Sequence, residues 1–143
     1  MTDIEKRIEG TDLSDMAEPV MSELDWTDFR KGIELFNQGQ FWESHEAWEG
    51  VWKRHPENSR IFFQGLIQVA AGLHQLHRGI YHGAIKHYSS ALWKLKRFQA
   101  HFLGVNVNHL VEKVEQGLAE IKQLGEKNLE RFDKDLIPKI KCE

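Results

Sequence analysis

The chain has 143 residues, the length of one ordinary domain, with 41% hydrophobic and 29% charged residues and a formal net charge of -3. That balance supplies a core beneath a solvated surface and argues against bulk electrostatic binding to nucleic acid. The single cysteine, Cys142, excludes an internal disulfide framework and a multi-cysteine metal centre. No apolar run approaches the ~18 residues of a membrane span. The start Met1-Thr2-Asp3-Ile4-Glu5 carries no basic-then-apolar targeting signal. The expectation is a soluble, cytoplasmic, single-domain protein with neither a nucleic-acid nor a membrane partner.

Residues 1–25 read as a flexible N-terminal arm, because charges, Gly10, Thr11, Ser14 and Pro19 interrupt any period. From Trp26 the pattern is helical, and the 26–125 segment is expected to be the domain proper. A first helix over about 26–38 carries Trp26, Phe29, Ile33 and Phe36 on one face and ends at Gly39. A second, about 41–54, carries Phe41, His45, Trp48 and Trp52 and closes at Pro56 and Asn58. The third, about 59–78, is apolar on opposing faces and should be the most buried. Gly79 breaks it, and a fourth helix from about 81 to 101 has Tyr81, Ala84, Ile85, Tyr88, Leu92, Leu95 and Phe98 inward. Gly104 through Asn108 predict a turn in which Asn106 or Asn108 caps a fifth helix ending at Gly125. The tail, 126–143, should form a short helix or an extended strap, with Pro138 preventing continuation.

A shift of forty residues brings two segments into register. Gly32 meets Gly72, Ser44 meets Ala84, and Gly39 and Phe41 meet Gly79 and Tyr81. Trp48 meets Tyr88, Val51 meets Ala91, and Trp52 meets Leu92. Each segment reads as helix, glycine turn, helix. The pattern is similar to the tetratricopeptide repeat, although that period is ~34 residues and the leading tryptophan is absent. Two units are too few for an open solenoid. The reading is therefore all-α: a compact five-helix domain built on two helical hairpins.

The repeat separates scaffold from extras. Where the first unit has His45, Glu46 and Glu49, the second has Ile85, Lys86 and Ser89, so the polar trio is not demanded by the hairpin. His45 and Glu49 are i, i+4 neighbours. The third helix carries its own polar line, Arg60, Gln64, Gln68, Gln75 and Arg78, with His74 on the apolar side. A guanidinium and amides facing two carboxylates would satisfy one another. Three readings stay open. The cluster is a polar network that docks the second helix on the third. Or it is a divalent transition-metal site, with His45, Glu49 and His74 as ligands and Glu46 in support. Or it lines a groove for a small ligand or peptide without catalysis. The segment reads H-E-x-x-E, not the H-E-x-x-H of zinc proteases, and the E-x-x-H pairs of a di-iron bundle are lacking.

His77, His82, His87, His101 and His109 fall at surface or boundary positions. Lys94, Lys96 and Arg97 read as a solvated basic face beside core aromatics rather than a nucleic-acid site. Trp26, Trp48, Trp52 and Trp93 lie on core stripes. Trp42 is the exception and could wall a ligand site or an interface. The sequence has no nucleophile elbow, phosphate loop or dinucleotide fingerprint, and Ser44 and His45, about 100° apart on a helix, make an improbable catalytic pair.

The run from Phe36 to Glu49 followed by Trp52 resembles the signature of the domain of unknown function 309 family. So do Arg60, Gln64-Gly65-Leu66-Ile67-Gln68, Ala70-Ala71, His74, Arg78-Gly79 and Gly83-Ala84. The resemblance covers about 30–110. It implies a small all-helical protein, of a kind found in bacteria, archaea and plant plastids, without an established activity. The family pattern falls on His45, Glu46, Glu49, Arg60, Gln64, Gln68 and His74. Ile80 departs from it, an asparagine being usual there. The expectation is a non-catalytic module that binds a protein or small molecule, needs no cofactor, and has an open oligomeric state. The runner-up is a metal-dependent hydrolase using His45, Glu46, Glu49 and His74.

Overall fold

In the computed structural model, which describes residues 13, 16–56 and 58–143, the first helix starts at a capping box. The Ser22 hydroxyl accepts from the Asp25 N–H at 3.0 Å, and Asp25 Oδ2 accepts from the Ser22 N–H at 3.1 Å. Helix α1 therefore spans Glu23–Asn37, beginning three residues earlier than the apolar period suggests. Helix α2 is Phe41–Arg54, α3 Arg60–His77, α4 Tyr81–Leu95 and α5 Val107–Leu124. Most of the arm expected over 1–25 lies outside the described residues. Within it Leu13 is buried, and Glu18 accepts a hydrogen bond from the Leu103 N–H at 2.6 Å.

The domain is all-α, and the two hairpins close through the same turn. Gly39 and Gly79 have φ of 80° and 72°. Gly39 N–H donates to Phe36 O and Gln40 N–H to Leu35 O, and Gly79 and Ile80 repeat the pattern onto Leu76 and Gln75. This pairing of bonds satisfies the last helix carbonyls and requires a left-handed residue, which glycine adopts without strain. The helices then stack in chain order, α1 on α2, α2 on α3, α3 on α4 and α4 on α5. Helix α3 lies between two neighbours and buries eleven of its eighteen residues, as its two apolar faces require.

Helix α4 ends at Leu95, six residues before the expected limit. A small hairpin comes next in the chain, β1 His101–Phe102 against β2 Val105–Asn106, antiparallel with Phe102 opposite Val105. Leu103 and Gly104 make its turn with φ of 50° and 81°. A leucine in that region costs about 1–2 kcal/mol, which its near-complete burial offsets. The hairpin carries Phe102 inward, where its ring meets Phe62 at 4.7 Å and Phe98 at 5.1 Å. Asn106 is the residue that caps α5, accepting from the His109 N–H at 3.0 Å.

After Gly125 the tail makes two 3-10 turns, Glu126–Arg131 and Lys134–Leu136, and then runs extended. Asn37 clamps it by a reciprocal pair. Asn37 Nδ2 donates to Ile140 O at 2.7 Å, and Ile140 N–H donates to Asn37 Oδ1 at 2.8 Å. Cys142 bridges Val105, and the Glu143 N–H donates to Gly104 O at 2.9 Å, so the tail extends the hairpin by one bridge. Among the described residues, no helix is long and apolar enough to cross a membrane.

Candidate functional site

The polar residues singled out in α2 and α3 lie along the boundary of those helices. On α2, one turn separates His45 from Glu49, and His45 Nε2 donates to Glu49 Oε1 at 2.8 Å. With Nε2 so engaged, Nδ1 of a neutral ring is a lone-pair acceptor. It is buried and, among the described residues, has no hydrogen-bond partner. Trp42, 50% exposed, stacks on the His45 ring at 4.9 Å and 26°. The same indole meets His74 of α3 at 5.3 Å. Glu46 is exposed.

Arg60, at the opposite end of the boundary, places its guanidinium 4.0 Å from the centroid of Trp52, and its Nε is buried with no hydrogen-bond partner among the described residues. Gln64 is half-buried, and Gln68 Oε1 accepts from Lys94 Nζ of α4 at 2.8 Å. Gln75 lies where a side chain at Gly83 would stand, with its Oε1 buried and without a hydrogen-bond partner among the described residues. Arg78 is exposed at the end of α3. From α4, His87 reaches the same region. Burial holds its imidazole below the usual range, helped by Lys86, His45 and Lys94.

Two expectations need correcting. Among the described residues, neither Glu46 nor Glu49 is bonded to Arg60, Gln64 or Gln68. The i, i+4 geometry delivers Glu49 to His45, while Arg60 takes an aromatic partner and Gln68 a lysine. Contact across α2 and α3 is made by rings and a cation on a ring. Lys94 is not on a solvated face. It is 1% exposed, on the side of α4 turned to α3, while Lys96 is exposed and pairs with Glu115 at 3.1 Å. Arg97 lies over Trp93 at 3.8 Å. Among the described residues, no three His, Cys, Asp or Glu side chains form a group that could hold an ion.

A second cluster has no counterpart in the sequence reading. Asp25, 5% exposed, receives Arg54 Nε at 2.6 Å and His55 Nε2 at 3.0 Å, and Arg54 Nη2 reaches Asp28 at 2.7 Å. Burial alone would raise the Asp25 carboxyl, but Arg54, the Ser22 N–H and His55 together outweigh it and bring it down to about 2. The same two aspartates raise Arg54. The cluster ties the start of α1 to the end of α2, with Asp25 and His55 buried and Arg54 and Asp28 partly open to solvent, and its acids and bases are paired with one another, so its work is structural. The spacing Ser22-x-x-Asp25 is the signal that could have found it.

Residues 29–87 match the family model described as Domain of unknown function (DUF309), a span that runs from Phe29 of α1 to His87 of α4 and contains every residue of the α2–α3 boundary named above. No curated protein matches the chain.

Proposed function

Since residues 29–87 match the model of the domain of unknown function 309 family, to which no activity attaches, we propose that the chain is a cytoplasmic, non-catalytic binding module. Its ligand, a small molecule or a short peptide, docks on the α2–α3 boundary at Trp42, His45 and His74. The observation that carries this reading is the exposure of Trp42. A tryptophan half open to solvent and braced from below by two imidazoles is a rigid aromatic platform, and such residues dominate binding energy at interfaces. Beneath it the His45 Nδ1 offers an unused acceptor, and Glu49 fixes which ring nitrogen is free. Arg60, Gln64 and Gln68 continue the same polar line, while Glu46 is free to meet a ligand from the rim.

The test is a fragment and short-peptide screen read by NMR on the isotope-labelled protein. Bound compounds are expected to move the Trp42 indole together with His45 and His74. Trp42→Ala should abolish those shifts with less than ~1 kcal/mol of stability lost, because half the side chain is already in water. Hits that persist in Trp42→Ala, or that map away from this boundary, would overturn the reading.

A further inference from the structure

Two cavities open under the C-terminal tail, away from the Trp42 platform. The larger, about 340 Å³, has Phe36 and Phe41 as its floor and Asn37, Gln38 and Gly39 as its wall. The smaller, about 170 Å³, is floored by Leu76, Leu129 and Phe132. His77, Lys134 and Ile137 line both. The two therefore adjoin as lobes of one surface cleft, with those three residues between them. The larger lobe alone is within the usual size of a small-molecule site.

The chemistry of the lining is divided. The floor is apolar, with Phe36, Phe41, Leu76 and Leu129 all buried. The rim is cationic, with Lys134 between the lobes, Lys139 on the larger and one carboxylate, Glu130, on the smaller. Among the described residues Lys134 has no ion-pair partner, while Lys139 Nζ donates to Asn37 O at 2.6 Å and so is held at the rim. His77 stands on Phe41 at 5.1 Å. Its imidazole lies below the usual range through partial desolvation, then His74 and Lys134. A flexible lysine above an apolar slot binds its opposite charge without being desolvated itself.

We propose that this cleft is a binding site for a free medium-chain fatty acid, its alkyl chain along Phe36, Phe41, Leu76 and Ile137 and its carboxylate between Lys134 and Lys139. The site is separate from the Trp42 platform and does not depend on that reading.

Decanoate is the probe, titrated into the full chain below its micelle concentration and followed by calorimetry and NMR. Decanol and decyltrimethylammonium carry the same chain without the charge or with the opposite one. Saturable decanoate binding is expected, with shifts on Phe41, His77 and Ile137 and at least several-fold weaker binding of the other two. Lys134→Gln, at an exposed position, should weaken decanoate roughly three- to ten-fold and leave decanol unaffected. Decanol binding as tightly as decanoate, shifts mapping elsewhere, or no saturation would each overturn the proposal. Binding only to anionic phospholipid vesicles, and not to free decanoate, would overturn it as well.

Discussion

The indole of Trp48 occupies the space that a Cβ on Gly32 would fill. The added atom would sit inside contact distance of Nε1, Cδ1 and Cε2. Trp48 is fully buried, and its Nε1 donates to Phe29 O at 3.1 Å, so the ring cannot retreat. Forty residues on, Tyr88 stands in the same relation to Gly72, with its Cδ1 2.6 Å from the hypothetical Cβ. The repeat is thus one packing device used twice: a large ring on the second helix of a hairpin, received by a glycine on the first.

Gly32→Ala sets two effects against each other. Alanine is favoured over glycine inside a helix by roughly 0.5–1 kcal/mol. Overpacking a rigid buried ring costs roughly 1–3 kcal/mol or more. The net expectation is a loss of about 2 kcal/mol, and the same for Gly72→Ala, measured by urea unfolding. Gly50→Ala is the control, because its nearest neighbour is the Asp28 carboxylate at 3.2 Å, a partly exposed group that can shift with Arg54 by a few tenths of an ångström, and not a buried ring. It should change stability by less than ~1 kcal/mol. Equal losses at Gly32 and Gly50 would break the assignment of Trp48 to that pocket.

The two units differ in how their rings end. Trp48 has a hydrogen-bond acceptor for its N–H, and Ser44 Oγ donates to Gly32 O at 2.8 Å beside it. The Tyr88 hydroxyl is buried with no partner among the described residues, and burial pushes the phenol far above its usual range. An unsatisfied buried hydroxyl costs about 1–3 kcal/mol, whereas a satisfied one returns about 1 kcal/mol. Tyr88→Phe should therefore leave stability unchanged or raise it by up to ~2 kcal/mol, while Ser44→Ala should lower it by about 1 kcal/mol. Destabilisation of Tyr88→Phe in thermal unfolding would mean that the hydroxyl has a partner after all.

Asp25 predicts an acid limb of the stability curve. Its carboxyl ionises at about 2 in the fold against 3.8 unperturbed, so the native state prefers the charged form. Stability from this group is complete above the unfolded value and is lost as pH falls through the folded one. The loss runs from about pH 5 to pH 1 and amounts to about 2 kcal/mol. Asp25→Asn should be less stable at pH 7, with a visibly flatter decline across that window. Identical slopes for the two proteins in urea titrations at pH 6, 4 and 2.5 would show that the Arg54 and His55 contacts contribute nothing.

The features legible in the sequence are those whose signals are local. Gly39 and Gly79 announce their turns because only left-handed backbone closes them, and the alignment of Trp48 with Tyr88 marks the receiving glycines. Trp42 stands out because its wheel position leaves the aromatic stripe, and it is the most exposed tryptophan of α2. Lys94 misleads because charge implies solvent in one dimension. Only the docking of α3 on α4 brings Gln68 Oε1 to Nζ. The end of α4 is hidden because Phe98 continues the helical stripe, yet its ring serves the cluster with Phe62 and Phe102 from a turn. Asp25 and His55, thirty residues apart, share no local signal beyond the capping box.

The His45–Glu49 pair bears on whether the boundary holds a metal or a ligand. Both readings need Glu49, but for different work. In a metal site the carboxylate is a ligand, and its charge is indispensable. In a binding platform it accepts the Nε2 proton and leaves Nδ1 free, which a glutamine oxygen does nearly as well. Protein purified without an affinity tag is therefore expected to contain no stoichiometric transition metal. Glu49→Gln should cost less than ~1 kcal/mol, since the pair is partly exposed. It should also keep the fragment-induced shifts on Trp42 and His74, while His45→Ala loses them. Elemental analysis that finds one metal per chain, lost in Glu49→Gln, would reverse the order of the two readings. His45, Glu49 and His74 would then become ligand candidates and Glu46 the base of a hydrolase.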